Sequence, residues 1–143
     1  MRGRRSGPTN HGSNVFHLDI APPVDIISDV SWSVELEPEV EEWFVGLPVG
    51  TVARAVPHIE RLAERGNRLR MPASRALGDG LFELRFDIEL ISWRITFFFA
   101  GDRRIVLLTV FHKQRMNERA EVARARDAMA RCIAEGHTTG KDD

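Results

Sequence analysis

Hydrophobic positions along the chain switch repeatedly between two spacings, and each switch marks an element. Val30, Trp32, Val34 and Leu36 alternate with Ser31, Ser33 and Glu35, the period-two pattern of a half-buried strand. At Glu37 the spacing changes. Pro38 suits the first turn of a helix, and Glu39, Glu41 and Glu42 favour the positive end of its dipole. Val40, Trp43, Phe44 and Leu47 form its apolar stripe, and Gly46 and Pro48 stop it. A second helix is predicted from about Thr51 to Arg65 on the spacing of Val52, Val56, Ile59, Leu62 and Ala63, with Pro57 kinking it and Gly66 as its C-terminal cap.

Residues 67–80 carry turn residues and read as a loop. Three strands follow, Leu81–Asp87, Leu90–Ala100 and Arg104–His112, joined by short turns at Glu89 and at 100–104, so they form an antiparallel meander. The last is apolar on both alternating sets, which predicts a central position. From Asn117, an N-capping residue, a final helix runs to about Glu135 with Val122, Ala125, Met129 and Ile133 facing inward. The expectation is an α+β fold: a small four-stranded sheet, antiparallel but mixed at one edge, packed on an N-terminal helical hairpin, with a C-terminal helix. One domain over 29–136 is expected, with a flexible leader at 1–28, where Val15–Ile20 reads as an optional strand, and a tail at 137–143.

The single cysteine, Cys132, excludes an internal disulfide and any all-cysteine metal site, and its place in a helical pattern marks it as a packed small side chain. No run reaches the roughly 20 apolar residues needed to span a bilayer, and Arg2, Arg4 and Arg5 are not followed by an apolar block. A cytoplasmic protein is expected. The five histidines (His11, His17, His58, His112 and His137) show no ligand spacing, so no metal and no cofactor are expected. The net charge of −1 hides an asymmetry. Residues 31–60 hold six Glu against one Arg, whereas residues 61–131 hold fifteen Lys and Arg against nine Asp and Glu. A basic half can offer a polyanion a footprint, or can simply be a solvated surface.

Alternation leaves two cations unexplained. If Phe82, Leu84 and Phe86 meet the helices, and Trp93, Ile95 and Phe97 do likewise, Arg85 and Arg94 project together from the opposite face of neighbouring strands. Like charges so placed repel unless each is paired, with Glu83, Glu89 or the final helix as partners, or unless both hold an anion such as phosphate, which a guanidinium grips with two donors. His112 and Lys113 sit where the last strand leaves the sheet. A histidine there is either an ordinary strand-end residue or a proton carrier, and a lysine can stabilise developing negative charge.

Three segments carry a resemblance: "VSWSVELEPEVEEWFVGL", "GDGLFELRF" and "WRITFFFAGDRRIVLLTVFHKQ", followed by a helix rich in alanine and arginine. Over residues 30–135 they resemble the RelE/HigB toxin superfamily, within it the phage Gp49-like HigB branch. The motif residues are Leu77, Gly80, Leu81, Glu83, Leu84 and Arg85, then Arg94, then Phe111 and Lys113. The resemblance implies the toxin of a type II toxin–antitoxin system. Such toxins are metal-independent mRNA endoribonucleases that act in the ribosomal A site, where a ribose 2′-hydroxyl attacks the adjacent phosphate. It further implies a cognate antitoxin of helix-turn-helix type, and mRNA and the ribosome as partners. Carried over by residue, it gives Arg85, Arg94, Phe111 and Lys113, of which Arg85, Arg94 and Lys113 are expected to be catalytic; His112, a nearby side chain of a type that exchanges a proton near pH 7, is the candidate acid or base, and Arg75, Phe111 and Arg115 are the RNA-binding candidates. Phe111 either stacks on a base or packs in the core. The chain departs from the pattern at Gln114, where a second lysine is common, and it has no tyrosine. Two rival functions remain: a ParE-like gyrase poison, and a degenerate module that only binds an antitoxin.

Overall fold

The computed structural model describes residues 31–114 and 118–136. The expected leader with Val15–Ile20, the tail, Arg115 and the Asn117 cap lie outside the described residues. Strand β1 (Ser33–Leu36) is shorter than its alternating pattern and buries Val34 and Leu36. Helix α1 (Pro38–Gly46) opens on the proline, with Glu39 and Glu41 in its first turn. Helix α2 (Val49–Arg65) begins two residues before Thr51 and carries Pro57 within it. Its C-cap is Gly66, at φ 54° and ψ −130°, which starts a single 3₁₀ turn.

The loop expected at 67–80 is in part a strand. Strand β2 (Ser74–Gly78) pairs antiparallel with β3 (Leu81–Ile88), so among the described residues the sheet has five strands rather than four. The short alternating run Ser74, Arg75, Ala76 lacks the β-branched and aromatic residues that announce a strand; the Gly78–Gly80 turn folds it back onto β3. Strands β4 (Ile91–Ala100) and β5 (Arg104–His112) complete the meander. Asp102 and Arg103, both at positive φ, form the turn between them. The strand order is β1-β5-β4-β3-β2, with β1 parallel to β5 and every other pair antiparallel. The mixed edge is therefore at β1, and β5 is interior as its apolar composition requires.

The two N-terminal helices share one face of the sheet but do not form a closely packed hairpin. Helix α1 docks mainly on β5 and α2 on β3, and each meets the sheet more than it meets the other helix. Between them and the sheet lies the larger core, with Leu36, Val40, Ile59, Leu62, Leu84, Ile95, Phe97, Ile105 and Leu107 excluded from solvent. Helix α3 (Glu118–Ala134) covers the other face over a smaller core of Leu81, Phe98, Val106, Leu108, Ala125 and Cys132. The cysteine is packed as expected, and burial, with the Glu37 carboxylate beside it, pushes its thiol up to about 12. A maleimide at pH 8 is expected to leave the folded protein unlabelled and to modify it fully in denaturant; labelling counted by mass checks this.

One irregularity reorganises β5. Thr96 faces Thr109, but Phe97 faces Leu107, so Leu108 is an extra residue. Before this bulge Ile105 and Leu107 point to the helical pair; after it Val110 does, and Thr109 and Phe111 lie on the α3 side. Thr96 and Thr109 join their hydroxyls at 2.6 Å, and Thr96 Oγ1 also accepts the Thr109 amide at 3.1 Å.

Candidate anion-binding site

Helix α3 does not cover its whole face. Past the small core the sheet presents two cross-strand rows. The first is Arg75, Glu83, Thr96 and Thr109; the second is Arg85, Arg94 and Phe111. Register alone makes neighbours of Arg85 and Arg94, which face each other directly across β3 and β4. Their repulsion is answered by one carboxylate. Glu83 Oε2 lies 3.9 Å from Arg75 Nη1, 3.7 Å from Arg85 Nε and 3.8 Å from Arg94 Nε. Three strands thus deliver three guanidiniums to one oxygen.

Glu83 is wholly buried, Arg94 is buried at 6% exposure, and Arg85 is half-buried. Burial, helped by Glu118, raises the Glu83 carboxyl above its ordinary range, against the pull of Arg94, Arg85 and Arg75. Burial and the Arg85 charge likewise depress Arg94, with Glu83 the largest opposing influence. The distances to Glu83 are ion-pair distances, longer than hydrogen bonds. Among the described residues both Glu83 oxygens and the Nε atoms of Arg85 and Arg94 lack a hydrogen-bond partner. Arg94 spends one donor on the Trp93 carbonyl at 3.1 Å, and Arg85 Nη1 sits 3.7 Å from Met71 Sδ.

Lys113 joins this cluster indirectly. Its Nζ is 3.7 Å from Glu118 Oε1, while Glu118 Oε2 is 4.0 Å from Arg75 Nη1. Among the described residues the group therefore holds four cations, Arg75, Arg85, Arg94 and Lys113, against two carboxylates. Of the partners expected for the two central arginines, Glu83 is used, whereas Glu89 pairs with Arg54 at 3.3 Å. Phe111 is buried beside Arg94, so it packs rather than offering an open stacking face. Arg75, the RNA-binding candidate from the expected loop, is on β2 and half exposed.

His112 is not brought to the arginines. It pairs in register with Trp93, and the two rings meet edge to face at 5.7 Å on the face that carries α1. Trp93 in turn packs on Trp43 of α1 at 5.1 Å. His112 lines a cleft of about 400 Å³ with Trp93, Phe111, Gln114, Glu118 and Arg124. Glu118 thus belongs both to the cleft and to the cation cluster.

Of two further residues that shape this end of the sheet, one escapes a reading of the sequence and the other is only partly visible in it. Strand β1 ends at Leu36, leaving the β5 edge beyond Leu107 without a strand neighbour on that side among the described residues. Glu39 fills in: its Oε2 accepts the Val110 amide at 2.9 Å, and its Oε1 pairs with Arg124 of α3. Glu83 is the other. Alternation offers it only as one possible partner for the arginines, and its burial at the centre of the cluster emerges only in the fold. A signal exists nonetheless, since a Glu two positions before the Arg on the same strand must share that face.

The family model of the phage-derived Gp49-like proteins (DUF891) matches residues 42–131. The chain belongs to that family. It is a RelE/HigB-like toxin family, as the motifs around Arg85 and Arg94 implied, and membership agrees with a role as the toxin of a toxin–antitoxin pair, which implies an antitoxin partner. The match begins within α1 and ends within α3, so it contains β2 to β5 and the whole cation cluster. No curated protein matches the chain. Among the described residues no helix is long and apolar enough to cross a membrane.

Proposed function

We propose that this Gp49-like protein is a metal-independent mRNA endoribonuclease that inhibits translation, acting on ribosome-bound message and held in check by a helix-turn-helix antitoxin. The observation that carries the reading is the convergence of Arg75, Arg85 and Arg94, from three adjacent strands, around one point, with Lys113 at the rim. Such a group suits a backbone phosphate, because guanidinium donors stay charged and grip non-bridging oxygens in pairs.

In this reading the RNA phosphate rests against Arg85 and Arg75, with the buried Arg94 charge behind them. The ribose 2′-oxygen forms a bond to that phosphorus and the P–O5′ bond breaks, leaving a 2′,3′-cyclic phosphate. The 2′ proton passes to solvent water as the new bond forms, and a proton is delivered to the departing 5′-oxygen. Lys113 and the arginines stabilise the added negative charge of the transition state. The nucleotide next to the held phosphate enters the cleft beyond Glu118, which brings the 5′-oxygen toward His112, a residue type able to donate a proton near neutral pH. Arg115 lies just past the same strand exit in the sequence and is assigned to the RNA backbone.

The test is expression without an antitoxin, followed by primer extension on abundant messages. Growth arrest with discrete new 5′ ends is the expected result. Arrest with intact messages and a DNA-damage response would instead identify a gyrase poison. Unimpeded growth with folded protein present would identify a module that only binds its antitoxin, a reading to which Glu83 lends some weight by occupying the arginines in the free protein.

A further inference from the structure

We propose that Glu83 is the positioning residue of the arginine site and its built-in counter-anion: it gathers Arg75, Arg85 and Arg94 to one point and competes with a bound phosphate-like dianion for them. This rests on the reading of the cluster as a phosphate site. It adds a residue that touches no substrate and sets the affinity of those that do.

Three features support it. First, the carboxylate contacts all three guanidiniums through a single oxygen, although they arrive on three different strands. Without a central negative charge, the facing pair Arg85 and Arg94 would repel each other until an external anion took its place between them. Second, the contacts are unspent. At 3.7 to 3.9 Å they attract without hydrogen bonding, and the buried Nε donors of Arg85 and Arg94 have no partner among the described residues. An internal anion placed so holds the cations in position without saturating them, and an incoming oxyanion can still take up the outer donors of the more exposed Arg75 and Arg85. Third, Glu83 cannot act on substrate directly in this arrangement, since both of its oxygens are buried beneath the arginines.

The electrostatic consequence is specific. With Glu83 ionised, four cations face two carboxylates; with it neutral, they face Glu118 alone. The site should therefore bind dianions more tightly whenever Glu83 loses its charge. The charged groups that face Glu83 are Arg75 on β2, Arg85 on β3, Arg94 on β4 and Glu118 on α3, with Lys113 beyond Glu118. Because burial raises the Glu83 carboxyl, its neutral form gains ground on acidification sooner than an ordinary glutamate would. Affinity for a dianion rises as pH falls through that range.

Sulfate is the probe, because its charge is constant from pH 5 to 8, and titration calorimetry at fixed ionic strength is the measurement. Glu83→Gln keeps the shape and removes the charge. It is expected to bind sulfate roughly tenfold more tightly than the parent at pH 7.5, one close charge interaction screened to about this size. It should also lack the parent's extra gain at acid pH, the Glu118 contribution being common to both. The double variant Glu83→Gln with Arg85→Ala should show a smaller increase, because one of the three guanidiniums for which the two anions compete is gone. Equal sulfate affinity in parent and Glu83→Gln at every pH overturns the proposal, as does an increase that is undiminished in the double variant. Should Glu83→Gln fail to fold, the parent and Arg85→Ala suffice: a rise of sulfate affinity on acidification in the parent that Arg85→Ala reduces supports the proposal, and a flat parent profile or a rise that Arg85→Ala leaves unchanged overturns it. No arm depends on RNA cleavage. A sulfate gain in a protein that cuts no message leaves Glu83 in its role and removes the nuclease, whereas cleavage without any sulfate difference does the reverse.

Discussion

Arg85→Ala is expected to lower the rate of RNA cleavage by roughly 10² to 10³, the loss seen when one preorganised donor to a developing oxyanion is removed. Cells expressing the variant without an antitoxin should grow. Arg85 is a better test than Arg94 because the two differ in what their loss does to the fold. Arg94 is buried at 6% exposure and deleting it opens a gap between β3 and β5, so a lost activity would be ambiguous. Arg85 is partly exposed, and after its removal Glu83 still has Arg75 and Arg94 within 4 Å. No buried charge is orphaned, and the cost in stability should be about 1 kcal/mol or less, in the range of a partly exposed ion pair. Thermal melting should therefore shift by a few degrees at most while single-turnover cleavage collapses. Arg85→Lys, with a point charge in place of the planar fork, should fall between the two. If Arg85→Ala cuts as fast and arrests growth as well as the parent, phosphate is not held by this cluster.

The arginine pair is legible in the sequence because β3 and β4 are regular. Their seven-pair register runs unbroken from Phe82 and Phe97 to Ile88 and Ile91, so counting by twos from the apolar face places Arg85 and Arg94 correctly. The same counting fails on β5. Its residues are apolar on both faces, so nothing in their chemistry reveals that Leu108 is an extra residue. Unbroken alternation from Ile105 and Leu107 would put Phe111 with the helices and His112 with the arginines. The bulge exchanges them: Phe111 faces Arg94, and His112 faces Trp93. The histidine that sequence proximity joins to the candidate site thus lies on the opposite face, reaching it only through the cleft it shares with Glu118. Strand β2 is hidden for another reason. An edge strand held by one neighbour needs only half a pattern, and Ser74, Arg75 and Ala76 offer too little β-forming character to be told from the turn residues around them. That omission has a functional cost, because β2 is what carries Arg75 to Glu83.

Gly66→Ala should be the most destabilising single change outside the hydrophobic core. At the C-terminus of α2 the sequence shows only a glycine where a helix must stop, which any left-handed cap would explain. The structure adds a second demand. Trp32, just ahead of β1, lays its indole across Gly66, and a Cβ built there would land on the ring, within 2.6 Å of Cε2. The ring is not free to retreat. Its backbone amide is bonded to the Ala63 carbonyl at 2.9 Å, Phe99 packs against it at 5.0 Å, and the Arg103 guanidinium stands 4.9 Å over its face. Two costs then add: about 1–3 kcal/mol for holding an L-residue at φ 54° and ψ −130°, and about 1–3 kcal/mol for forcing extra volume into a filled contact. A loss of about 3–5 kcal/mol should lower the melting temperature by roughly 10 °C or more, or leave little folded protein. Pairing it with Trp32→Ala separates the two costs. In the Trp32→Ala background the collision is gone, so Gly66→Ala should cost only the backbone share, and the difference between the two backgrounds is the coupling between indole and glycine. An equal cost in both backgrounds would mean that Gly66 is there for its backbone angles alone, and that the indole places no constraint on the C-terminal end of α2.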